Sequence, residues 1–166
     1  MSVDDAEMFR CAEALGARLR EHGLMLSVAE SCTGGWLAKA VTDVAGSSAW
    51  FDRGFVTYTN EAKQDMLGVT AATLEGHGAV SGAVVEAMAR GALAHSRAHW
   101  AVAISGVAGP SGGTPEKPVG TVWIAWCRRQ GAPQAQCFRF DGDRDGVRRQ
   151  AVMTALQGLL DGVGHD

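Results

Sequence analysis

A short apolar run, Leu24-Met25-Leu26-Ser27-Val28, meets the heptad Ala29-Glu30-Ser31-Cys32-Thr33-Gly34-Gly35 and passes directly into Trp36-Leu37-Ala38-Lys39-Ala40-Val41. The first segment reads as a strand over Leu24–Ala29 and the last as a helix. Small hydroxyl residues and two glycines form the turn between them. A strand that turns this tightly into a helix points to an α/β unit. It also leaves N–H groups at the helix start without intrahelical partners. Those donors and the positive end of the helix dipole attract an anion, either a phosphate or the oxyanion of an acyl-transfer intermediate. Ser31 stands where a hydroxyl attacks a bound carbonyl. Ser31 or Thr33 serves equally well as a plain helix cap, so the heptad alone leaves both readings open.

The rest of the chain extends the α/β pattern. Met8, Phe9, Ala12, Leu15 and Leu19 recur at helical spacing, which predicts an amphipathic helix from about Asp4 to His22 with Gly23 at its end. Gly54–Tyr58 reads as a second strand. Asn60 is placed to cap a short helix through Leu67, Thr70 to cap another, and Ser81 to cap a longer one bearing Val84, Val85, Met88 and Leu93. His99–Ile104 is apolar enough for a central strand. Val119–Cys127 and Gln134–Phe140 read as a hairpin, and Asp143 caps a last helix carrying Val147, Ala151, Ala155, Leu156 and Leu159. Strands alternate with helices early and a hairpin comes late. The expected fold is one three-layer α/β/α domain over 1–166 with a mixed β-sheet.

Composition narrows the function. With a net charge of −3 the chain lacks the basic footprint of a nucleic-acid binder. No apolar run is long enough to span a bilayer, and Met1-Ser2-Val3-Asp4-Asp5 lacks the basic region of a signal peptide, so a cytoplasmic protein with no membrane partner is expected. Cys11, Cys32, Cys127 and Cys137 show neither metal-ligand nor disulfide spacing. A homodimer is expected because Trp36, Trp50, Trp100, Trp123 and Trp126 are hard to assign to one small core.

Polar clusters fall where α/β proteins place ligands: the Ser31 turn, Tyr58-Thr59-Asn60-Glu61-Ala62-Lys63, the glycine- and proline-rich loop from Gly106 to Pro118, and Asp141–Asp145. Lys63 falls in the first turn of its helix if Asn60 caps it. There the dipole and burial both disfavour the ammonium form, and a neutral amine can take the proton of a serine hydroxyl. Its bland alternative is a solvated surface lysine. Two other nucleophilic schemes stand beside a Ser–Lys pair. Cys32 at a helix N-terminus would be a thiolate, and His77 is the one histidine placed for a triad. Arg144, with Arg148 and Arg149, is placed to meet a phosphate, or else Arg144 and Asp145 are surface charges around the cap at Asp143.

The segments AESCTGGWLAK, GFVTYTNEAKQDMLGV, AVSGAVVEAMARGAL, AISGVAGPSGGTPEKPVGTVWIA and GDRDGVRRQAV, in this order and over nearly the whole chain, resemble the CinA C-terminal domain family. Its stand-alone members are nicotinamide-nucleotide amidases. The resemblance implies hydrolysis of nicotinamide mononucleotide to nicotinate mononucleotide and ammonia, without cofactor or metal, in pyridine-nucleotide salvage. It places the family's serine nucleophile on Ser31, its lysine on Lys63 and its proton-relaying tyrosine on Tyr58. The family's hydroxyl residue before Gly-Val-Ala-Gly-Pro falls on Ser105, a position held by threonine in many members, and its arginine falls on Arg144. On that reading Ser31 attacks, Lys63 is base and then acid, and N–H groups around Cys32, Thr33 and Gly34 hold the oxyanion. Thr33, Gly34, Gly35, Asn60, Ser105, Gly106, Gly109 and Arg144 would bind the small nucleotide substrate. Two rivals carry over: a non-catalytic nucleotide-binding module, and an amidase for another phosphorylated carboxamide.

Overall fold

The computed structural model describes residues 3–165; Met1, Ser2 and Asp166 of the expected 1–166 span lie outside them. A five-stranded sheet is ordered β2 (Phe51–Val56), β1 (Leu26–Glu30), β3 (Trp100–Gly106), β4 (Thr121–Arg128), β5 (Gln134–Arg139). β2, β1 and β3 run parallel, and β4 and β5 are antiparallel to their neighbours. The mixed sheet is therefore as the sequence implies. Helices α1 (Asp5–Glu21), α2 (Trp36–Thr42) and α6 (Arg144–Gly162) cover one face. Helices α3 (Asn60–Leu67), α4 (Ala71–His77) and α5 (Gly82–Ala94) cover the other. None of the helices is long and apolar enough to cross a membrane among the described residues.

Strand alternation assigns the two faces different tasks. Leu26, Val28, Val102, Ile104, Val122 and Ile124 point toward α1, α2 and α6 and form the larger core. Ala29, Ala101, Ala103 and Ala125 point the other way, toward α5. Small side chains on that face bring α5 close, and Gly91 continues the close packing by seating α3: a Cβ there would lie 2.1 Å from the carbonyl oxygen of Leu67. α3 is thereby held against the C-terminal ends of the parallel strands.

The caps at Thr70, Ser81 and Asp143 are the expected ones, each accepting a backbone N–H at the start of α4, α5 and α6, and Asp4 does the same for α1. Asn60 is an exception, because Thr59 caps α3 through its hydroxyl and Asn60 is already helical. β2 also departs from expectation. It begins at Phe51, where parallel pairing with Leu26 starts, and it ends at Val56. Thr57 keeps one bond from its N–H to the Glu30 carbonyl, and the carbonyls of Thr57 and Tyr58 turn out of the sheet. Each tryptophan has a place within this fold: Trp50 and Trp100 are buried, Trp126 donates to the Ala155 carbonyl, Trp123 lies over Gly82, and Trp36 lies under Arg148 and Arg149. The tryptophans therefore carry no argument for a second copy.

Candidate active site

The chain leaves β1 toward β2 on one side, while β3 lies on the other. The crevice at the C-terminal ends of β1 and β3 is the topological switch point where open α/β sheets bind ligands. Ser31 sits in it, with its N–H donated to the Ile104 carbonyl. The cavity there encloses about 360 Å³, within the size range of small-molecule sites. Ser31, Tyr58, Lys63, Ser105, Gly106, Gly109 and Arg144 line it, together with Cys32, Ala79, Val80 and other residues of the long loop. Four separate parts of the chain thus meet at one cavity: the turn, the α3 lysine, the glycine loop and the α6 arginine.

Lys63 is only 1% exposed. Its Nζ lies 2.9 Å from the Thr57 carbonyl, 3.2 Å from the Tyr58 carbonyl and 3.1 Å from Ser31 Oγ. Burial holds its pKa below the ordinary lysine value, partly opposed by the Cys32 sulfur. The partner set determines what a neutral amine would do. Carbonyls only accept, so they take its two N–H bonds, and the lone pair is left facing Ser31 Oγ. In the structure the Ser31 hydroxyl is 3.5 Å from the Tyr58 carbonyl; turned toward a neutral Lys63 it would donate to the amine, the geometry of a base about to take that proton.

Glu30 precedes Ser31 and, by alternation, points to the opposite face. It is fully buried and accepts bonds from the Thr33 hydroxyl (2.7 Å), the Leu37 N–H (2.8 Å) and the Ala38 N–H (3.0 Å). The anion at the start of α2 is therefore a side chain of the protein itself. This corrects the expectation of an open anion site there: the helix start is occupied from within. Thr33 is also displaced from its expected role, because its side chain serves Glu30 and not the cavity. Nothing in the heptad's composition signals this, apart from a glutamate at the end of an otherwise apolar strand.

Further expected roles are revised by the geometry. The Gly34 N–H is spent on the Ser31 carbonyl (3.0 Å), so it is removed from the expected oxyanion donors. Gly34 and Gly35 have φ of 60° and 102°, and these left-handed turns carry the chain away from the cavity into a neighbouring groove with Trp36, Arg148 and Arg149. Asn60 does not line the cavity either; its carbonyl accepts from Gln64. Tyr58 lines it, yet its hydroxyl accepts from Arg144 (3.1 Å), and only its backbone carbonyl reaches Lys63. The tyrosine side chain thus meets the arginine and not the expected lysine. Arg144 also donates to the Gly109 carbonyl (2.7 Å), tying the α6 start to the glycine loop. Arg148 donates to the Cys32 and Thr33 carbonyls, and Arg149 pairs with Asp5 and Asp145, so neither joins Arg144 at the cavity.

The competing nucleophiles fare differently. Cys32 belongs to the core under α1, α2 and α6, and burial pushes its thiol up to about 11, which leaves little thiolate near neutrality. No histidine lines the cavity among the described residues; the carbonyl of His77 accepts a bond from Lys117 of the long loop.

The model of the CinA C-terminal domain matches residues 8–163. The chain belongs to that family. Among curated relatives, a nicotinamide-nucleotide amidohydrolase PncC of Escherichia coli is 57% identical over 159 residues, covering 95% of this chain and 95% of its own. One of the same designation from Pseudomonas putida is 56% identical, covering 90% of this chain and 92% of its own. Among solved structures, the competence/damage inducible protein CihA of Agrobacterium tumefaciens superposes with a TM-score of 0.91 at 48% identity, over 97% of each chain. A CinA superfamily protein of Klebsiella pneumoniae gives 0.92 at 43% identity, over 96% of this chain and 99% of its own. The three-layer arrangement is thus that of the CinA family.

Proposed function

We propose that this CinA-family chain hydrolyses the carboxamide of nicotinamide mononucleotide to nicotinate mononucleotide and ammonia, using Ser31 as nucleophile and Lys63 as base. The observation that carries the mechanism is the buried Lys63 amine 3.1 Å from Ser31 Oγ, with two carbonyls as its remaining partners. The substrate rests on the relatives named nicotinamide-nucleotide amidohydrolase at 54–57% identity over 90% or more of this chain.

In the forward step Ser31 Oγ bonds to the carboxamide carbon while its proton passes to Lys63, giving a tetrahedral oxyanion and a lysine ammonium. The ammonium returns that proton to the departing nitrogen, which leaves as ammonia, and Ser31 becomes a nicotinoyl ester. Neutral Lys63 then takes a proton from water, whose oxygen adds to the ester carbon. Collapse of that second intermediate, with the proton delivered to Ser31 Oγ, frees the nicotinate product. The protein supplies its own nucleophile and base, so the scheme calls for no metal.

Arg144 and the Gly106–Gly113 segment would hold the ribose phosphate at the far end of the cavity. Among the described residues Arg144 donates to a carbonyl and a phenol and to no carboxylate. The test is ammonia release from nicotinamide mononucleotide by the purified protein beside Ser31→Ala. Release that requires Ser31 supports the reading. Equal release by the variant refutes the serine, and none by either protein favours a non-catalytic nucleotide module. Turnover of another phosphorylated carboxamide in preference would move the substrate within the same mechanism.

A further inference from the structure

A carboxamide carbon attacked by Ser31 is bonded directly to the pyridine ring of nicotinamide mononucleotide. The ring must therefore lie in the same cavity, one bond from the reacting atom. What it meets there follows from the apolar side chains of the wall. Cys32 and Ala108 belong to the core under α1, α2 and α6, and Ala79 packs against the core under α5. Val80 and Val107 differ. Both line the cavity, both are only half-buried, and neither belongs to either core. Two branched apolar side chains are thus left to the cavity that holds Ser31 and Lys63.

The backbone fixes both valines. Val107 stands one residue past β3; its N–H donates to the Thr121 carbonyl and its carbonyl accepts from the Gly120 N–H, each at 2.8 Å. Val80 stands in the turn before α5. Ser81 closes that turn by donating its hydroxyl to the Gly78 carbonyl at 2.8 Å, and it caps the Val84 N–H. Lys117, from the loop that Val107 opens, donates to the His77 carbonyl at 3.0 Å and so ties the two segments together. Valine is also stiff at χ1, so this surface is set before a ligand arrives. No carboxylate lines the cavity among the described residues, and a positive charge on the ring finds no counter-ion there. We propose that Val80 and Val107 form the subsite for the substrate's aromatic ring, recognising its flat apolar faces and not its charge. The occupant is a planar aromatic carboxamide; an aliphatic carboxamide bearing the same phosphate would lack the contact.

This inference rests on the nicotinamide-nucleotide reading, and the experiment separates the two. Titration calorimetry on Ser31→Ala, where the reading allows no turnover, compares three ligands. They are nicotinamide mononucleotide, its C-linked benzamide analogue with a neutral ring, and ribose 5-phosphate, which has no ring. Val80→Ala and Val107→Ala, each added to Ser31→Ala, should weaken both ring-bearing ligands by roughly three- to tenfold, as expected for methyl groups removed from an apolar contact. Ribose 5-phosphate should stay within about twofold. Val80→Thr, which keeps the shape and exchanges a methyl for a hydroxyl, should also weaken the two rings. With Ser31 present, the alanine substitutions should raise KM and leave kcat within about threefold, since the wall meets ground state and transition state alike. An equal loss for ribose 5-phosphate would make the valines merely structural and overturn the proposal. So would unchanged affinity for the rings, full affinity in Val80→Thr, or a benzamide analogue bound far more weakly than nicotinamide mononucleotide. Any of these beside wild-type ammonia release would leave the Ser–Lys reading in place. Neither binding nor turnover of nicotinamide mononucleotide would remove that reading and the subsite with it.

Discussion

Glu30 and Lys63 are two buried ionisable groups placed on opposite sides of the same turn, and their surroundings differ in one decisive respect. Glu30 accepts from three donors, two of them at the start of α2, so the end of the helix favours a negative charge there. Lys63 meets two carbonyls and a hydroxyl and lies below its ordinary pKa through burial. A charge supplied with every partner it can use is fixed in place and holds structure. A buried base with no counter-charge beside it, only neutral dipoles, is pushed toward the neutral amine whose lone pair does chemistry. The fold therefore spends its helix terminus on anchoring the turn and leaves the reactive pair on the other face.

The sharpest way to break this contrast is to deny Lys63 its neutral form. Arginine stays protonated in proteins, so Lys63→Arg retains a cation and loses the base. Both Lys63→Arg and Ser31→Ala should lower kcat by about 10⁴-fold or more, as removal of a nucleophile or its base does elsewhere. Steady-state ammonia release measures it. Substantial turnover by Lys63→Arg would make Lys63 a fixed charge and end the comparison.

Arg144 comes next in size. If it holds the substrate's phosphate, Arg144→Ala should reduce kcat/KM for nicotinamide mononucleotide by roughly 10–100-fold, the worth of one charge-assisted bond. Hydrolysis of nicotinamide riboside should change far less. An unchanged preference between the two substrates would take Arg144 out of phosphate recognition and leave it as the tie between Gly109 and Tyr58.

The pH dependence tests the same asymmetry. Only neutral Lys63 can accept the Ser31 proton, so activity should fall as pH drops through its lowered folded value. The sign for stability follows from proton counting. Between that value and the ordinary 10.4 the unfolded lysine is protonated and the folded one is not, so stability should rise with pH across this window. Compared with Lys63→Met, the wild-type free energy of unfolding should increase from pH 7 to pH 10. A flat difference would mean that folding does not perturb the lysine. Glu30→Gln probes the other side. It turns an acceptor into a donor facing N–H groups, so one bond is replaced by a clash of donors. A loss of about 2 kcal/mol in unfolding free energy is expected, with a smaller loss of activity per folded molecule.

Much of this site was legible in the chain because local chemistry announced it. The strand–turn–helix around Ser31, the helix ending at Gly68 and the caps at Thr70, Ser81 and Asp143 follow from short-range preferences that tertiary packing does not override. Lys63 could be singled out because a lysine in a first helical turn is out of place unless it works. The roles that shifted depend on directions that no spacing reveals. Which face Glu30 takes decides who owns the start of α2, and whether Thr59 or Asn60 caps α3 depends on a single hydroxyl. Tyr58 reached Arg144 instead of Lys63 because α6 arrives from 86 residues away. Arg144 and Arg148 lie one turn apart on α6, yet they reach different sides of the Ser31 turn, which spacing alone does not show.

Cys32 should show the smallest effect, and it tests the alternation directly. Ser31 and Cys32 are adjacent and both line the cavity, yet Cys32 packs with the core on the side of Glu30, 6% exposed. Its thiol is pushed up to about 11 by burial, so near neutrality it is a small apolar group and not a nucleophile. Cys32→Ala removes one buried sulfur atom. It should cost about 1 kcal/mol of stability through the space it leaves, and kcat should stay within about twofold because the peptide on either side is unchanged. Because the thiol carries no charge near neutrality, the acid limb of the pH profile should stay where it is. An inactive Cys32→Ala beside an active Ser31→Ala would reverse the two residues, placing a thiol on the catalytic face and the serine in the core.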